Sequence, residues 1–102
     1  MSFAEPRGER LRERLRRGPF FLDGGMGSLL QAQGLKPGEA PEIWNLTHPE
    51  QITAIHRAYY EAGSHLVMAN TFGVHPLRYA QEECAKMIRA AVDCSDQARR
   101  ES

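Results

Sequence analysis

Residues 20–27 read Phe20-Phe21-Leu22-Asp23-Gly24-Gly25-Met26-Gly27. In this stretch a short apolar run stops at an aspartate and a group of glycines. Such a run is typical of a buried strand that delivers a tight loop to a functional edge, because glycine adopts backbone conformations that other residues avoid. The sequence therefore predicts a strand over residues 20–22 and a loop that begins at Asp23.

The same pattern returns further along the chain. Leu66-Val67-Met68-Ala69 reads as a second buried strand and is followed by Asn70-Thr71-Phe72-Gly73. Between the two strands, apolar residues recur at helical spacing at positions 52, 55, 58, 59 and 62. Thr47-His48-Pro49-Glu50 has the form of a capping box before this helix, and Gly63 is a natural C-terminal cap after it. Strand, helix and strand joined by short connections predict a parallel βαβ unit.

Helices are predicted on both sides of this unit. Residues 5–17 read as a charged helix that ends at Gly18-Pro19, residues 28–33 as a short helix and residues 34–41 as a loop. In the last third, one apolar stripe contains Leu77, Ala80, Cys84, Met87, Ala91, Cys94 and Ala98. Its small side chains favour an amphipathic helix that covers a sheet, and a coiled-coil partner helix is the alternative. We expect an α/β fold of two parallel strands with covering helices, in which residues 1–19 form an N-terminal helix and residues 20–102 one partial domain.

Charge and composition exclude several classes of function. The 102 residues include 13 basic and 13 acidic ones, so the formal net charge is zero, whereas nucleic-acid-binding domains normally carry a basic excess. No apolar run approaches the roughly 18 residues of a membrane span, and no signal-peptide pattern is present, so we expect a cytoplasmic protein without a membrane partner. Cys84 and Cys94 match no common zinc-ligand spacing and the four histidines form no close pair, so no metal ligand is assigned.

Candidate binding residues follow each predicted strand: Asp23, Gly24 and Gly25 after the first, and Asn70, Thr71 and Phe72 after the second. In parallel α/β folds the active site forms at the carboxyl ends of the strands. Uncovered glycine N–H groups and an acidic side chain could together hold an amino-acid zwitterion. A phosphate loop is excluded because no Gly-Lys-Ser/Thr follows, but a turn that merely needs positive φ stays an alternative. The Asn70 amide can donate and accept, and Phe72 offers a face to a thioether or an alkyl chain.

Several strings, taken in order, resemble the homocysteine S-methyltransferase family. Residues 21–31 are similar to the opening signature of its homocysteine-binding domain, and residues 41–50, Pro-Glu-Ile-Trp-Asn-Leu-Thr-His-Pro-Glu, are similar to the segment that follows. Ile55-His56-Arg57-Ala58-Tyr59, then Glu61-Ala62-Gly63 and Asn70-Thr71-Phe72-Gly73, continue the match at family-like spacing. The resemblance covers residues 20–73 firmly and the final helix loosely.

The resemblance implies a (β/α)8 barrel that transfers a methyl group to the thiol of homocysteine, giving methionine. It also implies a zinc ion, held by cysteines of later strands, that binds the substrate as a thiolate. By the same resemblance, residues 23–25 would hold the amino and carboxylate groups of homocysteine, and residues 70–72 would line the site. The segment around Trp44 is most similar to bacterial members, either cobalamin-dependent ones or homocysteine methyltransferases joined to a methylenetetrahydrofolate reductase domain, so methylcobalamin is one candidate methyl donor. Met68-Ala69 departs from the family pattern and removes one hydroxyl near the site.

A barrel of this type needs about 250 residues, so we expect an N-terminal fragment that stops before strand three. The zinc ligands would then be absent, no catalytic residue is assigned, and the chain alone would be inactive. Its expected partners are homocysteine and either the remaining barrel segments or a second copy. The alternative is a non-catalytic module that self-associates through its C-terminal helix, and a weaker one is a protein that binds homocysteine or methionine without turnover.

Overall fold

The computed structural model describes the backbone of residues 4–102 and the side chains of residues 8–102. Its elements in chain order are α1 (Ala4–Arg16), α2 (Gly27–Ala32), a 3-10 turn (Pro41–Ile43), α3 (Trp44–Thr47), α4 (Pro49–Glu61) and α5 (Gln81–Glu101). Helices α1, α2, α4 and α5 lie where the sequence patterns predict them. The part of the predicted N-terminal helix that falls on residues 1–3 lies outside the described residues.

The core lies between α4 and α5, which pack together more extensively than any other pair of elements. From α4 it contains Ile52 and Ile55, and from α5 it contains Met87, Ala91, Cys94 and Ala98, all at most 4% exposed. Leu30, Leu35 and Trp44 form one apolar cluster with Ile52, Ile55 and Cys94. Alanines in the α5 stripe let the two helices approach closely, and each large apolar side chain buried this way contributes about 1.5–3 kcal/mol.

The prediction of what the α5 stripe packs against is therefore corrected. The stripe covers helix α4 rather than a sheet, and its buried part begins at Met87, since Leu77 is 96% exposed and precedes the helix. Because Met87, Ala91 and Ala98 are already packed inside the chain, they are not free to form a coiled-coil interface with another copy.

The predicted pair of parallel strands, and with it the α/β barrel-fragment architecture, is wrong. Within residues 4–102 no strand forms, and the pairing between the two segments is reduced to one parallel bridge between Leu22 and Leu66. Burial alternates along the second segment, in which Val67 is 9% exposed but Leu66 and Met68 are 41% and 66% exposed. Two segments without a third neighbour have unpaired outer edges, and a two-stranded pairing is marginal in water.

Side chains supply much of the hydrogen bonding that a longer β-ladder would have supplied. The His65 N–H donates to the Phe21 carbonyl at 2.7 Å, and the Phe21 N–H donates to His65 Nδ1 at 2.9 Å. Ser64 Oγ donates to the Leu22 carbonyl at 3.1 Å. On the other side of the ring, Arg14 Nη2 lies 2.8 Å from His65 Nε2. The two segments are thus joined locally around His65.

The predicted capping box before α4 is also wrong, although the helix itself is present. Thr47 is the last residue of α3, and its hydroxyl contacts the Ile43 carbonyl at 3.3 Å and His48 Nδ1 at 2.7 Å instead of an N–H of α4. Pro49 occupies the first turn of α4, where its missing N–H does no harm. Gly63 follows the helix with φ of 115°, which confirms its prediction as the C-terminal cap.

Candidate functional site

The Asp23–Gly25 loop lies against α4 and the second extended segment. Asp23 Oδ2 accepts from the Met68 N–H at 3.2 Å, which fixes the direction of this half-buried carboxylate. The Tyr59 hydroxyl donates to the Gly25 carbonyl at 2.7 Å. A Cβ on Gly24 would stand 2.9 Å from the Tyr59 hydroxyl, so a larger residue here would displace the Tyr59 side chain. Neither Gly24 nor Gly25 has positive φ, which overturns the alternative that this turn merely needs positive φ.

The Asn70–Gly73 turn is held by the segment that precedes α3. Asn70 Nδ2 donates to the Pro41 carbonyl at 2.9 Å. Asn45, which is 2% exposed, donates from its own Nδ2 to the Asn70 carbonyl at 2.7 Å and to the Glu42 carbonyl at 2.9 Å. Because the Asn70 amide nitrogen is engaged by protein, its side-chain oxygen is the atom left to accept from a ligand.

Residues from both loops meet at one cleft of about 370 Å³, which is lined by Met26, Gly27, Pro41, Glu42, Asn70, Phe72, Gly73 and Arg78. Of the predicted site residues, Asn70 and Phe72 line it, and Phe72 is fully exposed. Asp23, Gly24, Gly25 and Thr71 do not line it. The first loop reaches the cleft through the two residues that follow Gly25.

Two residues beside this cleft were not identified from the sequence. Glu42 is 2% exposed, and its Oε1 accepts from the Tyr79 hydroxyl at 2.6 Å and lies 3.5 Å from Arg78 Nη1. Burial, together with the hydrogen bond to Glu42, raises the pKa of Tyr79 to about 12, so its hydroxyl stays a donor. Asn45 is the other, as described above. A Pro-Glu pair before a short helix reads as a helix start, and no sequence signal distinguishes it from a buried carboxylate.

The imidazole ring of His56, in α4, is fully buried. Among the residues that the structure describes, its two nitrogens are the buried side-chain polar atoms without a hydrogen-bond partner. Burial lowers the pKa of His56, while the Asp23 carboxylate acts in the opposite direction. The ring is therefore neutral near pH 7. It belongs to the buried face of α4 and does not line the cleft.

The described residues do not fit a zinc ion. They contain no group of three or more His, Cys, Asp or Glu side chains placed to hold a metal. Cys84 and Cys94 are free, Cys94 Sγ donates to the Pro49 carbonyl at 3.6 Å, and burial raises the pKa of the Cys94 thiol. A cysteine binds zinc as a thiolate, so a buried thiol with a raised pKa is poorly suited to the role.

None of the helices between residues 4 and 102 is both long and apolar enough to cross a membrane.

Comparison with known proteins identifies a family and two relatives to which the chain is similar. The family described as homocysteine S-methyltransferase matches residues 20–102. The methionine synthases of Mycobacterium tuberculosis (strain ATCC 25618 / H37Rv) and Mycobacterium leprae (strain TN) are each 38% identical to the chain over 73 residues. Each alignment covers 66% of this chain and 6% of the relative, so the chain spans a small part of the length of these curated relatives.

Proposed function

The chain belongs to the homocysteine S-methyltransferase family, and from that premise we propose that it carries the N-terminal part of the homocysteine site. The reaction it would serve is methyl transfer to the homocysteine thiol, giving methionine. The observation that carries the proposal is the shared cleft, which is lined by Met26 and Gly27, the two residues that follow the first loop, and by Asn70 and Phe72 of the second.

The proposed roles follow from the chemistry of each loop. Residues 23–25 do not line the cleft, so their proposed role is to hold the amino and carboxylate groups where the ligand extends beyond it, in the loop that leads to Met26 and Gly27. Asp23 accepts from the ammonium group, because a carboxylate with one bond to the Met68 N–H still has free lone pairs. The N–H groups of Gly24 and Gly25 receive the carboxylate of the amino acid. Asn70 supplies a side-chain oxygen, Thr71 lies beside it in the turn, and Phe72 packs on the sulfur-bearing chain.

The proposal for this chain is limited to binding the amino acid. Since the described residues do not fit zinc, none of them is assigned to the metal. None is assigned to methylcobalamin either, and the isolated chain is proposed to bind homocysteine without turnover. The remaining groups that the reaction needs belong to other parts of a complete methyltransferase.

A titration of the ¹⁵N-labelled chain with reduced L-homocysteine tests the proposal, because amide chemical shifts detect binding even at millimolar Kd. We expect shifts concentrated in residues 23–27 and 70–73. Asp23→Asn should weaken binding by about tenfold or more, since a hydrogen bond to a charged group contributes about 1.5–3 kcal/mol.

Asp93→Asn is the matched control, because it makes the same change at an exposed position of α5 away from both loops. It should leave the Kd unchanged. An absence of shifts in both loops at saturating homocysteine, or equal effects of the two substitutions, would contradict the proposal.

A further inference from the structure

Glu42 is a buried carboxylate that neither the sequence motifs nor the proposed ligand contacts account for. Its side chain is 2% exposed, and a carboxylate removed from water in this way must be paired to be tolerated. Its partners are the Tyr79 hydroxyl at 2.6 Å and the Arg78 guanidinium at 3.5 Å. Both come from the segment that leads into α5, so Glu42 joins that segment to the 3-10 turn.

The other side of the same carboxylate lies directly behind Gly73. A Cβ built on Gly73 would stand 2.5–2.7 Å from the two oxygens and the carboxyl carbon of Glu42. Real Cβ atoms do not approach other atoms so closely, hence only glycine fits at this position while the carboxylate stays in place. Gly73 follows Phe72, the exposed aromatic residue of the cleft, so the carboxylate limits how far this turn can move back.

Residues on both sides of Glu42 hold the beginning of the same turn. The Pro41 carbonyl accepts from Asn70 Nδ2 at 2.9 Å, and Asn45 bridges the carbonyls of Glu42 and Asn70. The Asn70–Gly73 turn is therefore fixed at its first residue by hydrogen bonds and at its last residue by contact with the Glu42 side chain.

We propose that Glu42 is a positioning residue of the homocysteine site, which acts through Gly73 and Tyr79 to hold Phe72 and Asn70 in the geometry that binds the amino acid. The inference rests on the proposed function for the ligand, and on the contacts above for the positioning. Glu42 borders the cleft, but its carboxylate is 2% exposed and is engaged by Tyr79 and Arg78, so its effect passes through the turn.

Tyr79→Phe is the mildest test, because it removes one hydroxyl and keeps the ring. Among the amides of the turn, the Val74 N–H donates to the Thr71 carbonyl at 3.0 Å and the Thr71 N–H to the Ala69 carbonyl at 2.8 Å, so their hydrogen exchange reports whether the turn is held. We expect about tenfold faster exchange at both amides, and about three- to tenfold weaker homocysteine binding.

A pair of substitutions at Glu42 separates positioning from a general structural role. Glu42→Gln keeps an oxygen that can accept from the Tyr79 hydroxyl, so it should bind homocysteine within about twofold of the unmodified chain. Glu42→Ala removes that oxygen and should resemble Tyr79→Phe or be weaker. If Tyr79 only stabilised the fold, Tyr79→Phe would weaken homocysteine binding only to the extent that it lowers the Tm. For a positioning role we expect the Kd to rise by more than the loss of folded protein accounts for.

Gly73→Ala tests the contact from the other side. It should weaken homocysteine binding by about tenfold in the presence of Glu42 and add less than about twofold in the Glu42→Ala background, because residues in direct contact are non-additive. Gly8→Ala is the control glycine, since a Cβ there would meet nothing within 4 Å.

The two proposals fail in different ways. If the unmodified chain does not bind homocysteine, the proposed function fails, and the exchange of the Thr71 and Val74 amides still decides whether Glu42 holds the turn. If Tyr79→Phe and Gly73→Ala leave both exchange and affinity unchanged, Glu42 has no positioning role and the inference is overturned.

Discussion

The chain has two regions that are stabilised in different ways. The helical layer, here α3 to α5, buries Ile52, Ala91 and Ala98 completely. The loop layer, residues 20–26 and 64–73, leaves Phe21, Met68 and Phe72 largely exposed and is joined by one β-bridge and several hydrogen bonds that involve side chains. Apolar burial holds the first region, and polar contacts hold the second.

The difference explains why the candidate binding residues all lie in the loop layer. Functional loops are usually drawn from the less stable part of a fold, because binding groups must remain accessible to a ligand. Here three side chains hold the loops in place: Tyr59 of α4, Asn45 of α3 and Glu42 of the 3-10 turn before α3. Each of them contacts one of the two loops. The helical layer therefore acts as the scaffold of the proposed site.

The largest expected effect compares one methionine from each region. Met87→Ala removes a side chain that is 4% exposed and should lower the free energy of unfolding by about 2–5 kcal/mol, because it leaves a cavity between helices. Met68→Ala, at a position that is 66% exposed, should change it by less than about 0.5 kcal/mol. Urea unfolding followed by circular dichroism measures both, and equal losses would show that the loop layer is packed as tightly as the helices.

A smaller effect is expected where the two regions meet. Asn45→Ala leaves the carbonyls of Glu42 and Asn70 without their shared donor and should lower the free energy of unfolding by about 1–3 kcal/mol. Hydrogen exchange at residues 70–74 should accelerate more than exchange in α4. Gln33→Ala, at an exposed position, is the control, and uniform acceleration in both regions would contradict a local role for Asn45.

The smallest effect concerns pH and the buried His56 ring. Burial holds the pKa of His56 below its ordinary value of 6.5, so the unfolded chain binds a proton more readily than the folded one. Stability is therefore complete above pH 6.5 and falls as the pH drops below it. Glu39 and Asp96, whose pKa values are lowered from 4.5 and 3.8 by their hydrogen bonds to Lys36 and Arg99, lose their contribution only at more acidic pH.

Thermal unfolding between about pH 5.5 and 8 measures this dependence. His56→Leu should flatten the curve over that range, because leucine has no proton to bind in either the folded or the unfolded chain. His75→Leu, at an exposed position, is the control and should leave the slope as it is. An unchanged slope in His56→Leu would assign the dependence to other groups.

The helices of this chain follow from local sequence patterns. Apolar spacing over residues 49–62, proline in the first turn of α4 and Gly63 after it are sufficient to predict α4, because each acts within a few residues. The stripe that contains Met87, Ala91 and Cys94 predicts α5 and its buried face in the same way. The loops at Asp23 and Asn70, and the family, were also identified from the order of short motifs.

The extended segments and the groups around the cleft depended on contacts between distant parts of the chain. Leu66-Val67-Met68 has the composition of a strand, but a strand exists only with partners, and in residues 4–102 its pairing stops at Leu22. Glu42 and Asn45 gain their importance from Gly73, Tyr79 and Asn70, which lie 25 to 37 positions away in sequence. Local spacing determined the helices, and tertiary packing alone decided the pairing of the extended segments and the surroundings of each buried polar group.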